Sequence, residues 1–106
     1  MINFRKPLYV SEAVKKKEKK IIRAIERRKL QLKVTVIALA SNPDNLFDLY
    51  DAKELLQPYY KRHDIEVIGL AEDMADAKEL VCRMVEEAVQ NAGPDYIREY
   101  FATIRG

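Results

Sequence analysis

Apolar residues recur along this chain with two different periods, and each change of period marks an element. The clearest run covers residues 73–92. Ala77, Leu80, Val81, Met84, Val85, Ala88, Val89 and Ala92 repeat there at helical spacing, and Lys78, Glu79, Arg83, Glu86, Glu87 and Gln90 fill the other side. Gly93 and Pro94 stop this helix. A last short helix is expected over 95–104, with Ile97, Tyr100, Phe101 and Ile104 on one side. Before the long helix, residues 65–71 (IEVIGLA) read as a buried strand, and Gly69 inside it marks a close approach of backbone. Residues 30–40 (LQLKVTVIALA) alternate and then become continuously apolar, which predicts a second strand buried on both faces.

Between these strands lies Ser41-Asn42-Pro43-Asp44-Asn45. Asn42 before Pro43 fits a helix cap followed by proline at the first helical position, with Asp44 as the alternative cap. Leu46, Phe47, Leu49, Tyr50, Leu55 and Leu56 then predict a helix to residue 57, ended by Pro58. Residues 59–64 (YYKRHD) are a connector. Near the start, Ser11 is a plausible cap for a helix over 11–29, with Glu12 in its first turn and Val14, Ile21, Ile22 and Ile25 as a thin apolar stripe. Residues 1–10 read as an extended arm in which Pro7 breaks any ladder.

The order is helix, strand, helix, strand, helix, helix. This predicts one small α/β domain spanning 1–106, with a parallel strand–helix–strand centre and a right-handed crossover. Two strands alone leave open edges. Either residues 2–10 supply a third strand, or a second copy completes the sheet by dimerisation; the homodimer is the leading expectation.

Composition changes this picture little. At 106 residues and 12.3 kDa, with 48% hydrophobic and 34% charged residues, the chain suits one globular core. It shows neither a membrane-spanning run nor the apolar stretch of a signal peptide. Its single cysteine builds no disulfide framework, so a reduced, cytoplasmic setting is expected. Charge is more informative. Residues 1–33 carry 12 Lys/Arg against 3 Asp/Glu, and residues 34–106 carry 7 against 14. Such halves either complement each other or present a basic surface to an acidic partner.

The chemistry on offer is sparse. Both predicted strands would end at one sheet edge, placing Ser41, Asn42, Asp44, Glu72 and Asp73 where open α/β sheets bind ligands. No glycine-rich loop accompanies them, their carboxylates would repel phosphate unless Mg²⁺ intervened, and the competing reading is that they cap helices. His63 and Cys82 are the only residues of their types. Cys82, at the border of its helix's apolar stripe, reads as a half-buried structural cysteine, and His63 as a solvated or helix-end residue. Tyr59-Tyr60-Lys61-Arg62-His63 mixes aromatics and bases as single-strand binders do; its plainer reading is a tyrosine closing the core beside wet cations. No cofactor is implied, and nucleophile, base and oxyanion donors cannot be assembled into an enzyme site. The best partner signal is the basic helix, with Lys15, Lys16, Lys19, Lys20, Arg23 and Arg27 available to an acidic protein or a nucleic acid.

With the segments laid out, KLQLKVTVIALASNPDNLFDLYDAKELLQPYY (29–60) and IEVIGLAEDMADAKELVCRMVEEA (65–88) resemble a group of small bacterial α/β proteins of unknown function. The resemblance implies a compact α/β domain and carries no activity. The expected function is a self-associating, non-enzymatic interaction module. The alternatives are a nucleic-acid-binding accessory protein using 11–29, or a small-molecule or metal-ion binder at the strand ends.

Overall fold

A computed structural model describes residues 2–28, 33–40, 42, 44–56 and 64–103. Ser41, Pro43, the 59–63 cluster with His63, and the expected ends at Lys29 and Ile104 lie outside them. The class is α/β: the described residues form three helices and a four-stranded mixed sheet. The strands are β1 (Ile2–Val10), β2 (Thr35–Leu39), β3 (Phe47–Asp51) and β4 (Ile65–Ala71), in the order β1-β4-β2-β3. The helices are α1 (Glu18–Glu26), α2 (Met74–Ala92) and α3 (Ile97–Thr103).

The sheet separates two cores, because successive strand residues point to opposite faces. Val36 and Ala38 of β2 join Val67 and Leu70 of β4 on one side, where Val14 and the α1 residues Ile21 and Ile25 cover them. Ile37 of β2 joins Ile68 and Ala71 on the other, under Ala77, Leu80, Met84 and Ala88 of α2 and Phe101 of α3. The layers are therefore α1, sheet, and α2 with α3. Phe101 is fully buried and meets the rings of Phe47 at 5.0 Å, Tyr100 at 5.2 Å and Tyr9 at 6.0 Å, edge to face.

The expected parallel strand–helix–strand centre is corrected. β2 runs antiparallel to both β3 and β4, and the parallel pair is β1 with β4. The segment read as a crossover helix forms strand β3 and then a short 3₁₀ turn, Ala52–Leu56. Leu46, Phe47, Leu49 and Tyr50 satisfy either period. Pairing with the open side of β2 decides between them, and Asn42, Asp44 and Asn45 lie in the loop between β2 and β3. Asn42 does not cap a helix: its side-chain oxygen accepts from the Asp44 N–H at 2.9 Å within that loop.

Residues 2–10 do supply a strand. Ile2, Phe4, Leu8 and Val10 pack into the α1-side core, and Tyr9 into the other. Pro7 does interrupt the ladder. Phe4 pairs with Val67 and Tyr9 with Gly69, so three extra residues of β1 bulge out around a cis Lys6–Pro7 bond. Arg5 Nε reaches Glu66 Oε2 at 3.0 Å across this stretch.

The first helix starts later than expected. Ser11 does not cap it. The Ser11 N–H donates to the Leu70 carbonyl at 3.0 Å, extending β1, and its hydroxyl donates to Asp76 Oδ2 at 2.5 Å. A turn and a 3₁₀ segment, Lys15–Lys17, precede α1, which ends at Glu26. Other expectations hold. Asp73 caps α2 by accepting from the Asp76 N–H at 2.8 Å, and Gly93 ends that helix at φ 85°. Gly69 does mark a close approach: a Cβ there would lie 3.1 Å from Ile37 Cδ1 and 3.2 Å from the Tyr9 carbonyl oxygen.

Candidate interaction surfaces

The antiparallel arrangement dismantles the predicted ligand edge. Thr35 at the start of β2 pairs with Ala71 at the end of β4, so Glu72 and Asp73 lie at one end of the sheet and Asn42 and Asp44 at the other. Glu72 and Asp73 border one shallow cavity, and Asp44 borders another. One, of about 180 Å³, is lined by Lys33, Thr35, Asp51, Glu72 and Asp73; the other, of about 270 Å³, by Asp44, Asn45, Asp95 and Arg98. Both fall below the usual size of a small-molecule site, roughly 300–1,000 Å³. Among the described residues no three His, Cys, Asp or Glu side chains converge to hold a metal ion.

Asp76 does local structural work. Its carboxylate accepts the Glu72 N–H at 2.8 Å and the Ser11 hydroxyl, and these two bonds, in that order, hold its carboxyl below its ordinary value. A second carboxylate, Glu87 of α2, accepts from Tyr9 of β1 and, at 2.8 Å, from Tyr100 of α3. Burial first, and then the Glu87 carboxylate, push the Tyr9 phenol well above its ordinary value; for Tyr100 the Glu87 hydrogen bond is the leading cause. Glu87 thus clips three elements together. Arg98 of α3 straps the β2–β3 loop by donating to the carbonyls of Asn45 and, at 3.2 Å, Ala40. Sequence reasoning missed these clips, since each joins residues far apart in the chain, with no local spacing signal.

A further cavity is an open groove of about 400 Å³ between β3 and α2. Leu46, Phe47, Leu49, Val81 and Cys82 make it apolar, and Lys78 is its charged wall residue. Cys82 is exposed, which corrects the half-buried expectation: its position turns it away from the sheet-facing residues Leu80, Met84 and Ala88. The groove runs beside β3, which is the last strand of the sheet.

The basic residues lie on a 3₁₀ segment and the short helix α1 rather than on one helix over 11–29. Lys15, Lys16, Lys17, Lys19, Lys20, Arg23 and Arg27 are all exposed. Lys15 approaches Glu12 at 3.9 Å; the other six have no acidic partner among the described residues. Residues 15–28 hold eight basic and two acidic residues, whereas 72–99, on the opposite side of the sheet, hold three basic and eight acidic. The two charged parts therefore do not neutralise each other within one chain. The sheet stands between them.

No family model matches the chain, and searches of curated proteins and of solved structures find no similar one. Among the described residues no helix is long and apolar enough to cross a membrane.

Proposed function

We propose that the protein is a non-enzymatic, cytoplasmic binding module that holds a nucleic acid against its α1 side. One observation carries this reading: cations without acidic partners among the described residues are gathered on one face of the sheet, and the excess acid lies behind the other. From the 3₁₀ segment through α1 to the residue after it, Lys16, Lys19, Lys20, Arg23 and Arg27 follow at three- and four-residue steps, and within the helix residues so spaced are neighbours with Cβ atoms roughly 5–6 Å apart. A row of that kind suits a polymer with a charge at every repeat. An anionic lipid surface is less suited, because Ile21 and Ile25, which would have to insert, are buried in the core.

The test is fluorescence anisotropy with a labelled single-stranded RNA of ~20 nucleotides. Engaging three to five phosphates gives a slope of about −2 to −4 in log K against log salt. Charge reversal of Lys16, Lys19 and Lys20 to Glu should abolish binding. Binding that persists in the reversed variant, or that ignores salt, refutes the reading.

A second reading, self-association, is favoured by the outer side of β3, which pairs with no further strand among the described residues, and by the apolar groove beside it. The other sheet edge, β1, is broken by its three-residue bulge and offers a poorer template.

A further inference from the structure

We propose that β3 pairs antiparallel with β3 of a second copy about a two-fold axis through Leu49; this rests on the self-association reading and specifies its surface. In an antiparallel pair, directly opposed residues alternate between exchanging hydrogen bonds and not. The Ala40 N–H donates to Leu46 O at 3.3 Å, and the Ala52 N–H to Val34 O at 2.9 Å, one at each end of the β2–β3 ladder. Both belong to the same alternating set, so Asp48 and Tyr50 also spend their backbone groups on β2. Phe47, Leu49 and Asp51 therefore direct theirs outward.

These three positions are symmetric about Leu49. Two copies can thus pair Leu49 with Leu49, and Phe47 with Asp51 twice, without any slip of register. Four of the six backbone bonds use groups that no described residue occupies. The other two use the Asp51 N–H, which Glu54 Oε1 now accepts at 3.3 Å and would release.

Side chains match this register. Phe47 and Leu49 pack on the α2 side of the sheet, and the groove opens beside them. Asp51, two residues further along the strand, shares that face and is exposed. In the pair, Asp51 of the second copy lies beside Phe47, in the groove whose charged wall residue is Lys78. On the α1 side, Asp48 of one copy comes opposite Tyr50 of the other, a carboxylate facing a phenol. A second copy of this chain is therefore the occupant that both the backbone pattern and the charges fit.

The geometry has a consequence for the cationic side. Strands that join edge to edge in one sheet keep their faces, so an axis perpendicular to the sheet places both α1 helices on the same side. The dimer would carry an eight-stranded sheet with two cationic helices on one face and the acidic helices on the other.

The experiment is light scattering after size exclusion, at ~0.1 M and ~1 M NaCl, on the full chain and three variants, with circular dichroism as the check on folding. The wild type is expected at twice 12.3 kDa at both salts. Leu49→Lys should be a folded monomer. Lys78→Glu should weaken the dimer about tenfold, and adding Asp51→Lys to it should restore dimerisation, a rescue that a misfolded variant would not show. A wild-type monomer at protein concentrations up to about 0.1 mM overturns both this pairing and the self-association reading. A dimer that survives Leu49→Lys and shows no charge-swap rescue overturns the β3 pairing alone.

Discussion

Replacing Gly69 by alanine tests the packing at the centre of the sheet. Gly69 sits where β4 bulges: Ile37 pairs with Gly69 and Ala38 with Val67, so Ile68 is the extra residue. The bulge lets Ile68 fill the α2-side core while Leu70 and Ala71 keep to opposite faces. Two effects compete in the variant. Alanine restricts the unfolded chain, which favours folding by about 0.4–1 kcal/mol. Its Cβ would also stand 3.1 Å from Ile37 Cδ1, 3.4 Å from Ile37 Cβ and 3.2 Å from the Tyr9 carbonyl oxygen. The Ile37 terminus can turn aside, but the Tyr9 carbonyl belongs to the neighbouring strand and can yield only if β1 shifts. Overpacking of this kind costs about 1–3 kcal/mol. The net expectation is a loss of about 1 kcal/mol, or roughly 4–8 °C in Tm for a domain near this size. Urea titration and thermal melting would measure it. In an Ile37→Val background the same substitution should cost less, because the Cδ1 contact is gone and the two changes couple. A Gly69→Ala protein as stable as the wild type, or more stable, would refute the packing argument.

Two further outcomes follow from the clips between elements. Phe101→Ala should cost about 3–5 kcal/mol and speed hydrogen exchange over α3, because the ring fills the contact among Tyr9, Phe47 and Tyr100; a loss under about 1 kcal/mol would show that α3 is anchored by something else. In an alkaline titration followed by phenolate absorbance, Tyr9 and Tyr100 should ionise above the ordinary value of 10.0. The raised values mean that the fold favours the protonated phenols. Their contribution to stability is complete below the ordinary value of 10.0 and is lost as pH climbs through and past it. Glu87→Gln should bring the Tyr100 midpoint down and the Tyr9 midpoint part of the way, since burial still acts on Tyr9. Ordinary ionisation of Tyr9 and Tyr100 would contradict the clip.

Several parts of this architecture were legible in the chain. The strand at 65–71 matches β4, and the helix expected over 73–92 matches α2 with Asp73 as its cap. Both patterns are strong because their burial is strong: every third or fourth residue of α2 meets one core, and β4 is covered on both faces. The close approach at Gly69 and the interrupted ladder at Pro7 were readable because glycine and proline act through local sterics. The basic run at 15–28 was legible too, since charge is counted without knowing the fold.

Only the tertiary structure decided the rest. Phe47 to Asp51 is a strand because β2 had a side to fill, and a segment whose apolar residues suit either period takes the form its neighbour rewards. That same pairing reversed the direction expected for β2 against β4 and sent Asn42 and Asp44 to the opposite end of the sheet from Glu72 and Asp73. Ser11 left the first helix because Asp76, 65 residues away, offered its hydroxyl an acceptor. The surfaces follow from this topology. The chain by itself holds the amounts of opposite charge, but α1 packs on one face of the sheet and α2 with α3 on the other, and that keeps those charges apart.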